Sequence, residues 1–153
     1  MAYIANNKQG NEPRYYKLFN ELMELKKCNN FCMSGLYTEN YNEIYVHSKT
    51  CIVDGKILTI GSANMVDISF IHDHTEINAF VYDGKESMKL LRQLSLKHCP
   101  HKTMEFFENL NDIEIIEFLI QNARMNRESI DSNKLLQGKL CCVDSDYYGS
   151  LNM

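Results

Sequence analysis

The chain has 153 residues, of which 44% are apolar and 24% charged, with a formal net charge of −4. That is about one domain with a hydrophobic core of its own, and the charge speaks against wholesale electrostatic binding to nucleic acid or anionic membrane, although a local basic face can still do either. No apolar run approaches the length of a membrane span and the start, MAYIANNKQG, lacks the apolar core of a signal peptide, so the chain is expected to be intracellular unless its true start lies upstream.

In chain order, residues 1–13 read as a polar lead-in. From 14 to about 27, Tyr15, Leu18, Phe19, Leu22 and Leu25 recur at helical spacing, which predicts an amphipathic helix packed on a sheet. Residues 31–37 read as a short strand and 40–42 as a loop. The alternating run 45–51 predicts a strand on which His47 and Lys49, two apart, share one face. Asp54-Gly55 is a two-residue hairpin signal, and the strand after it, 57–60, delivers Gly61 and Ser62 to a tight turn. A helical turn is expected at 65–69, a polar loop at 72–75 and a buried strand at 76–82. Residues 85–98 read as a helix with Met88, Leu91 and Leu94 as its apolar stripe. Lys85, Lys89 and Arg92 share another face, which is expected to be solvated. A helical hairpin follows, 103–110 and 112–126, with Asn111 and Glu114 spaced as a capping pair and Ile113, Ile116, Ile120 and Ala123 on the buried side. The tail from Gly138 carries no legible chemistry.

Six cysteines are scattered: Cys28 and Cys32 four apart, Cys51 in the first hairpin, Cys99 beside two histidines, and Cys141-Cys142 adjacent. Their spacing is not that of a zinc ribbon or finger, and without a secretory signal thiols are expected. His72-Asp73-His74 and His98-Cys99-Pro100-His101 are candidate metal ligands, but such short clusters are common on surfaces, and no metal is expected.

The chemistry concentrates in HSKTCIVDGKILTIGSAN, from His47 to Asn64. An imidazole can attack phosphorus and leave again, because its second nitrogen can hold or release a proton. Lys49 beside it would place a compact positive charge on the phosphate oxygens as charge builds in the transition state. Ser62, Asn64 and neighbouring backbone N–H groups would cradle the phosphate. Asp54, at the hairpin turn, suits bracing the site better than direct chemistry. Taken singly, a histidine in a strand or an Asp-Gly is usually only structural. As six residue types at fixed offsets, the set recurs by chance roughly once per 10^8 starting positions.

The run resembles the signature of the phospholipase D superfamily, His-x-Lys-x4-Asp-x6-Gly-Ser-x-Asn, and matches it without a gap. The approach through Ser34-Gly35-Leu36 and Tyr45-Val46-His47-Ser48-Lys49, the helix with Leu91-Arg92-Gln93-Leu94 and the segment Asn122-Ala123-Arg124-Met125-Asn126 are similar to the C-terminal lobe of eukaryotic-type phospholipases D. The likeness covers roughly residues 14–128. Ile68 stands where many members place an arginine. The resemblance implies an α/β fold, one lobe of a mixed β-sheet flanked by helices. Its expected layout is a lead-in at 1–13, the catalytic lobe at 14–102, and a helical C-terminal extension and tail at 103–153.

It also implies catalysis by two such motifs facing across a pocket, one histidine attacking and the other protonating the leaving alcohol. With one motif here, the expectation is a truncated product of a longer gene, or a homodimer pairing His47 with its symmetry mate. The implied function is hydrolysis of glycerophospholipids, phosphatidylcholine to phosphatidic acid and choline. His47 and Lys49 would be catalytic with Asp54 and a histidine-orienting Glu76, while Ser62 and Asn64 bind phosphate. No cofactor is required for that chemistry, with calcium or a phosphoinositide as membrane-recruitment factors, and the location implied is cytoplasmic and peripheral to a membrane. The rivals are a homodimeric nuclease of the same superfamily, which the charge speaks against, and a silent lipid- or protein-binding fragment.

Overall fold

The computed structural model describes residues 24–28, 30–63 and 75–142. The expected helix before residue 24, the turn at 65–69, His72-Asp73-His74 and the tail beyond 142 therefore lie outside the described residues.

The expected α/β class holds, and among the described residues the strands divide between two antiparallel sheets of three. One sheet has the order β2-β1-β6, from β1 (Ser34–Tyr37), β2 (Glu43–Ile44) and β6 (Leu140–Cys142). The other has the order β3-β4-β5, from β3 (Lys49–Val53), β4 (Ile57–Gly61) and β5 (Asn78–Tyr82). The chain changes partner inside the run that the alternation predicts as one strand. β2 pairs with β1, β3 pairs with β4, and residues 45–48 between them join neither ladder. His47 consequently precedes the strand that carries Lys49.

The β3–β4 hairpin forms where Asp54-Gly55 predicts it. Both residues adopt positive φ, 51° and 60°, and Lys56 N–H donates to the Val53 carbonyl at 3.0 Å. A Cβ on Gly55 would stand 2.6 Å from Met88 Sδ and 3.2 Å from Asp112 Cβ, so the bare turn lets the hairpin tip seat against two helices.

Those helices are α1 (Gly84–His98) and α3 (Asp112–Asp131), with the short α2 (Met104–Glu108) between them. Each has a side-chain N-cap, as the residue types dictate. The Asp83 carboxylate accepts from the N–H groups of Lys85 and Glu86, Thr103 accepts from Phe106, and Asn111 and Glu114 form the expected reciprocal capping box. The core gathers Leu91, Cys99, Phe107, Ile115, Leu119 and Leu140 between helices and sheets.

Two expectations about these helices need correction. Arg92 is not a solvated member of a basic face. Its guanidinium turns inward and donates to the carbonyls of Phe107, Glu108 and Leu110, at and just beyond the end of α2. On α3 the buried side is Ile115, Leu119, Asn122, Ala123 and Asn126, joined by Ile120, while Ile113 stays 65% exposed. The isoleucines allow two phases of the helix. The choice falls to Asn122 and Asn126, whose amides donate to the Gln137 carbonyl and, from Asn126, to that of Leu140. These bonds secure the strand β6 that the tail was not expected to form.

Candidate functional site

Strand register assembles the site. Lys49 pairs with Gly61 and Gly61 with Asn78, so the three stand in one row across β3, β4 and β5. His47 lies two residues before Lys49, Ser62 one after Gly61, and Glu76 two before Asn78. Because β4 runs against its neighbours, all of these fall at the same end of the sheet.

The contacts there are specific. Lys49 Nζ donates to the His47 carbonyl at 2.8 Å, which curls the ammonium back along the segment that carries the imidazole. The rings of Tyr45 and His47 approach to 5.8 Å between centroids, and His47 is exposed. Across the row, the Ser62 hydroxyl donates to Glu76 Oε2 at 2.5 Å and accepts the Ile77 N–H at 2.9 Å, while Ser62 N–H donates to the Ile77 carbonyl at 3.0 Å. The described end of β4 is thereby tied to the start of β5 by three bonds.

His47, Lys49, Ser62 and Glu76 are thus brought to one sheet end. Asp54 is not among them. It sits at the opposite end of the β3–β4 hairpin, roughly 16 Å of strand from Lys49, in the turn that packs against Met88 and Asp112. The expectation that it braces the site therefore places it away from the row rather than within it. Asn64 lies outside the described residues. Glu76 was expected to orient a histidine, and the bond described for it comes from Ser62.

Sequence reasoning missed Asn78. Its Oδ1 accepts from Ala63 N–H at 3.4 Å and lies where a side chain on residue 61 would be: a Cβ on Gly61 would come 1.6 Å from it. The glycine of Gly-Ser-x-Asn is required because β5 crosses it so closely. Only the β4–β5 register reveals this, and no signal in the linear sequence announces it.

A cavity of about 350 Å³ lies beneath the motif, lined among others by Val46, Ser48, Thr50, Ile52, Leu91 and His98. Val46, Ser48, Thr50 and Ile52 line it and His47 and Lys49 do not, so these two side chains lie away from this space. His98 is buried at its wall. Burial, then the charges of Lys139 and Lys97, lower its pKa to about 4. Burial pushes the Cys99 thiol up to about 11, and its Sγ lies 3.5 Å from Asn122 Oδ1. This histidine–cysteine cluster is a packed helix end. Among the described residues, no three His, Cys, Asp or Glu side chains are grouped to hold a metal ion.

The sequence model of the family described as "Cardiolipin synthase, PLD-like domain" matches residues 5–96, a span that contains the whole motif and the row built on it. The chain is a member of the phospholipase D superfamily. Among similar proteins, this PLD-like chain is 31% identical over 85 residues to a cardiolipin synthase of Geobacillus thermodenitrificans (strain NG80-2), covering 56% of the chain and 15% of that protein. It is 29% identical over 107 residues to cardiolipin synthase 2 of Bacillus anthracis, covering 70% and 18%. With cardiolipin synthase 1 of Staphylococcus aureus (strain COL) it shares 42% over 50 residues, covering 33% and 10%. The PLD-like chain spans less than a fifth of the length of these relatives. No solved structure matches it significantly.

Proposed function

We propose that this PLD-like chain carries out one half of a phosphodiester exchange on glycerophospholipids, through a phosphohistidine. The observation that carries the reading is the row Lys49–Gly61–Asn78 with His47 and Ser62 at its end. It sets an imidazole and an ammonium on exposed backbone beside a serine braced by Glu76. His47 either attacks the phosphorus or protonates the leaving alcohol, and Lys49 holds the phosphate oxygens. Ser62, held by Glu76 and Ile77 at the end of the row, meets the phosphate there, and Asn64 adds a donor. One imidazole cannot act on both sides of one phosphorus, so the opposing histidine comes from a second lobe in the same protein or from a second copy.

The names of the relatives favour an alcohol as the acceptor, the hydroxyl of a second phospholipid glycerol, with cardiolipin as product. Hydrolysis of phosphatidylcholine to phosphatidic acid and choline is the second reading, favoured by the Tyr-Val-His-Ser-Lys approach to the motif. Both place the chain at a cytoplasmic membrane surface. Among the described residues no helix is long and apolar enough to cross a membrane, so attachment would be peripheral or through other parts of the protein. Neither reaction draws on a metal for its chemistry, and calcium or a phosphoinositide would act only in recruitment.

Vesicles of phosphatidylglycerol and of phosphatidylcholine separate the readings. Glycerol release with cardiolipin formation from the first supports transfer, and choline release from the second supports hydrolysis. A rate per chain that rises with chain concentration marks a site completed by a second copy.

A further inference from the structure

The tail strand β6 brings Cys142 against Cys32, 110 residues earlier, with the two Sγ atoms 2.7 Å apart. The arrangement follows from register: Ser34 pairs with Cys142, and Cys32 lies two residues before Ser34 on the approach to β1. A disulfide needs about 2.05 Å between sulfurs, so closing this pair asks for less than an ångström of side-chain movement and no slip of either strand. Both residues are half-buried, within reach of a small oxidant yet shielded from bulk exchange.

The surroundings suit thiol exchange. Ser34 Oγ lies 3.1 Å from Cys32 Sγ, a hydrogen-bond partner for a developing thiolate. The hydrogen bond with Cys32, followed by burial, pushes the Cys142 thiol well above its ordinary value, so Cys142 is the sulfur that keeps its proton. Among the described residues no third His, Cys, Asp or Glu is grouped with the pair to hold a metal ion.

We propose that Cys32 and Cys142 are an oxidation site that forms a reversible disulfide with a glutathione-type disulfide as oxidant, fastening β6 to β1. Cys32, as thiolate, attacks one sulfur of oxidised glutathione and expels one glutathione thiolate, which takes up a proton. The Cys142 sulfur then displaces the second glutathione from the mixed disulfide, giving up its own proton to it. Two protein thiols are oxidised and one glutathione disulfide is reduced to two thiols. The closed loop contains His47, Lys49, Ser62 and Glu76, so the bond restrains the unfolded state of the whole described site.

The test uses the purified full chain, equilibrated with oxidised glutathione and then freed of it. Thiols counted in denaturant fall from the six of the sequence to four, peptide mapping joins Cys32 to Cys142, and Tm rises by about 10 °C, an increase that dithiothreitol reverses. Cys141→Ser keeps the cross-link, whereas Cys32→Ser loses both the cross-link and the rise in Tm. Six remaining thiols, a cross-link that joins Cys28 to Cys32 or Cys141 to Cys142, or a Tm unmoved by the bond would overturn the proposal.

Discussion

Gly61 and Asn78 face each other across β4 and β5 with no room for a single added carbon: a Cβ at 61 would lie 1.6 Å from Asn78 Oδ1 and 2.5 Å from the Ile77 carbonyl. The obstacle is partly backbone, so a larger residue must displace β5 itself. Gly61→Ala is expected to cost about 2–4 kcal/mol of unfolding free energy in urea titration, from overpacking and a disturbed strand pair. Gly35→Ala is the control. There the nearest atoms belong to the Tyr37 ring, at 3.1 Å, and none to backbone, so a smaller cost of about 1 kcal/mol is expected.

Arg92 holds the end of α2 through three carbonyls, at 3.1, 3.4 and 3.4 Å. Arg92→Met keeps the apolar stem and removes the donors, and is expected to lower stability by about 1–2 kcal/mol. If Arg92 served phosphate binding instead, Arg92→Met would weaken lipid turnover and leave the urea midpoint unmoved.

Asn126 is fully buried, donates to the carbonyls of Gln137 and Leu140 at 3.0 and 2.7 Å, and accepts the Gln137 N–H at 2.7 Å. Asn126→Leu removes the partner of the Gln137 N–H and of the Leu140 carbonyl, while the Gln137 carbonyl keeps Asn122, and is expected to cost about 2–4 kcal/mol. Hydrogen exchange should show the loss first in β6, which the amide secures.

The buried His98 gives the fold an acid limit. Its folded pKa, about 4, lies below the ordinary 6.5, so as the pH falls the unfolded chain takes up the proton before the folded one. The stability it contributes is complete above about pH 6.5 and is lost as the pH falls towards 4, with a ceiling of about 3 kcal/mol. The difference in unfolding free energy between wild type and His98→Leu, measured from pH 7.5 to 4, should shrink through that window and stay level above it.

These residues also show what the linear sequence makes legible. The hairpin turn at Asp54-Gly55, the cap at Asn111, and the helices α1 and α3 are local devices, and short-range spacing reveals them. The row that joins Lys49, Gly61 and Asn78 depends on β5 pairing with β4, a non-local choice, and Asn78 stayed hidden for that reason. Arg92 and Asn126 were hidden differently. A charged or polar side chain on a helix normally marks the wet face, and here each is drawn inward by backbone carbonyls of another segment. β6 was invisible because three residues carry no period, and its place is set by Asn126 and β1.

The claim on which the rest hangs is that His47 does chemistry on a phosphodiester. Headgroup release from phosphatidylglycerol and phosphatidylcholine vesicles by wild type and by His47→Asn, compared at equal chain concentration and matched urea midpoints, tests it most directly. The predicted result is a fall of at least about a thousandfold in the variant, with Asp54→Asn retaining more activity because its turn is remote from the row. Equal rates for wild type and His47→Asn would contradict the account.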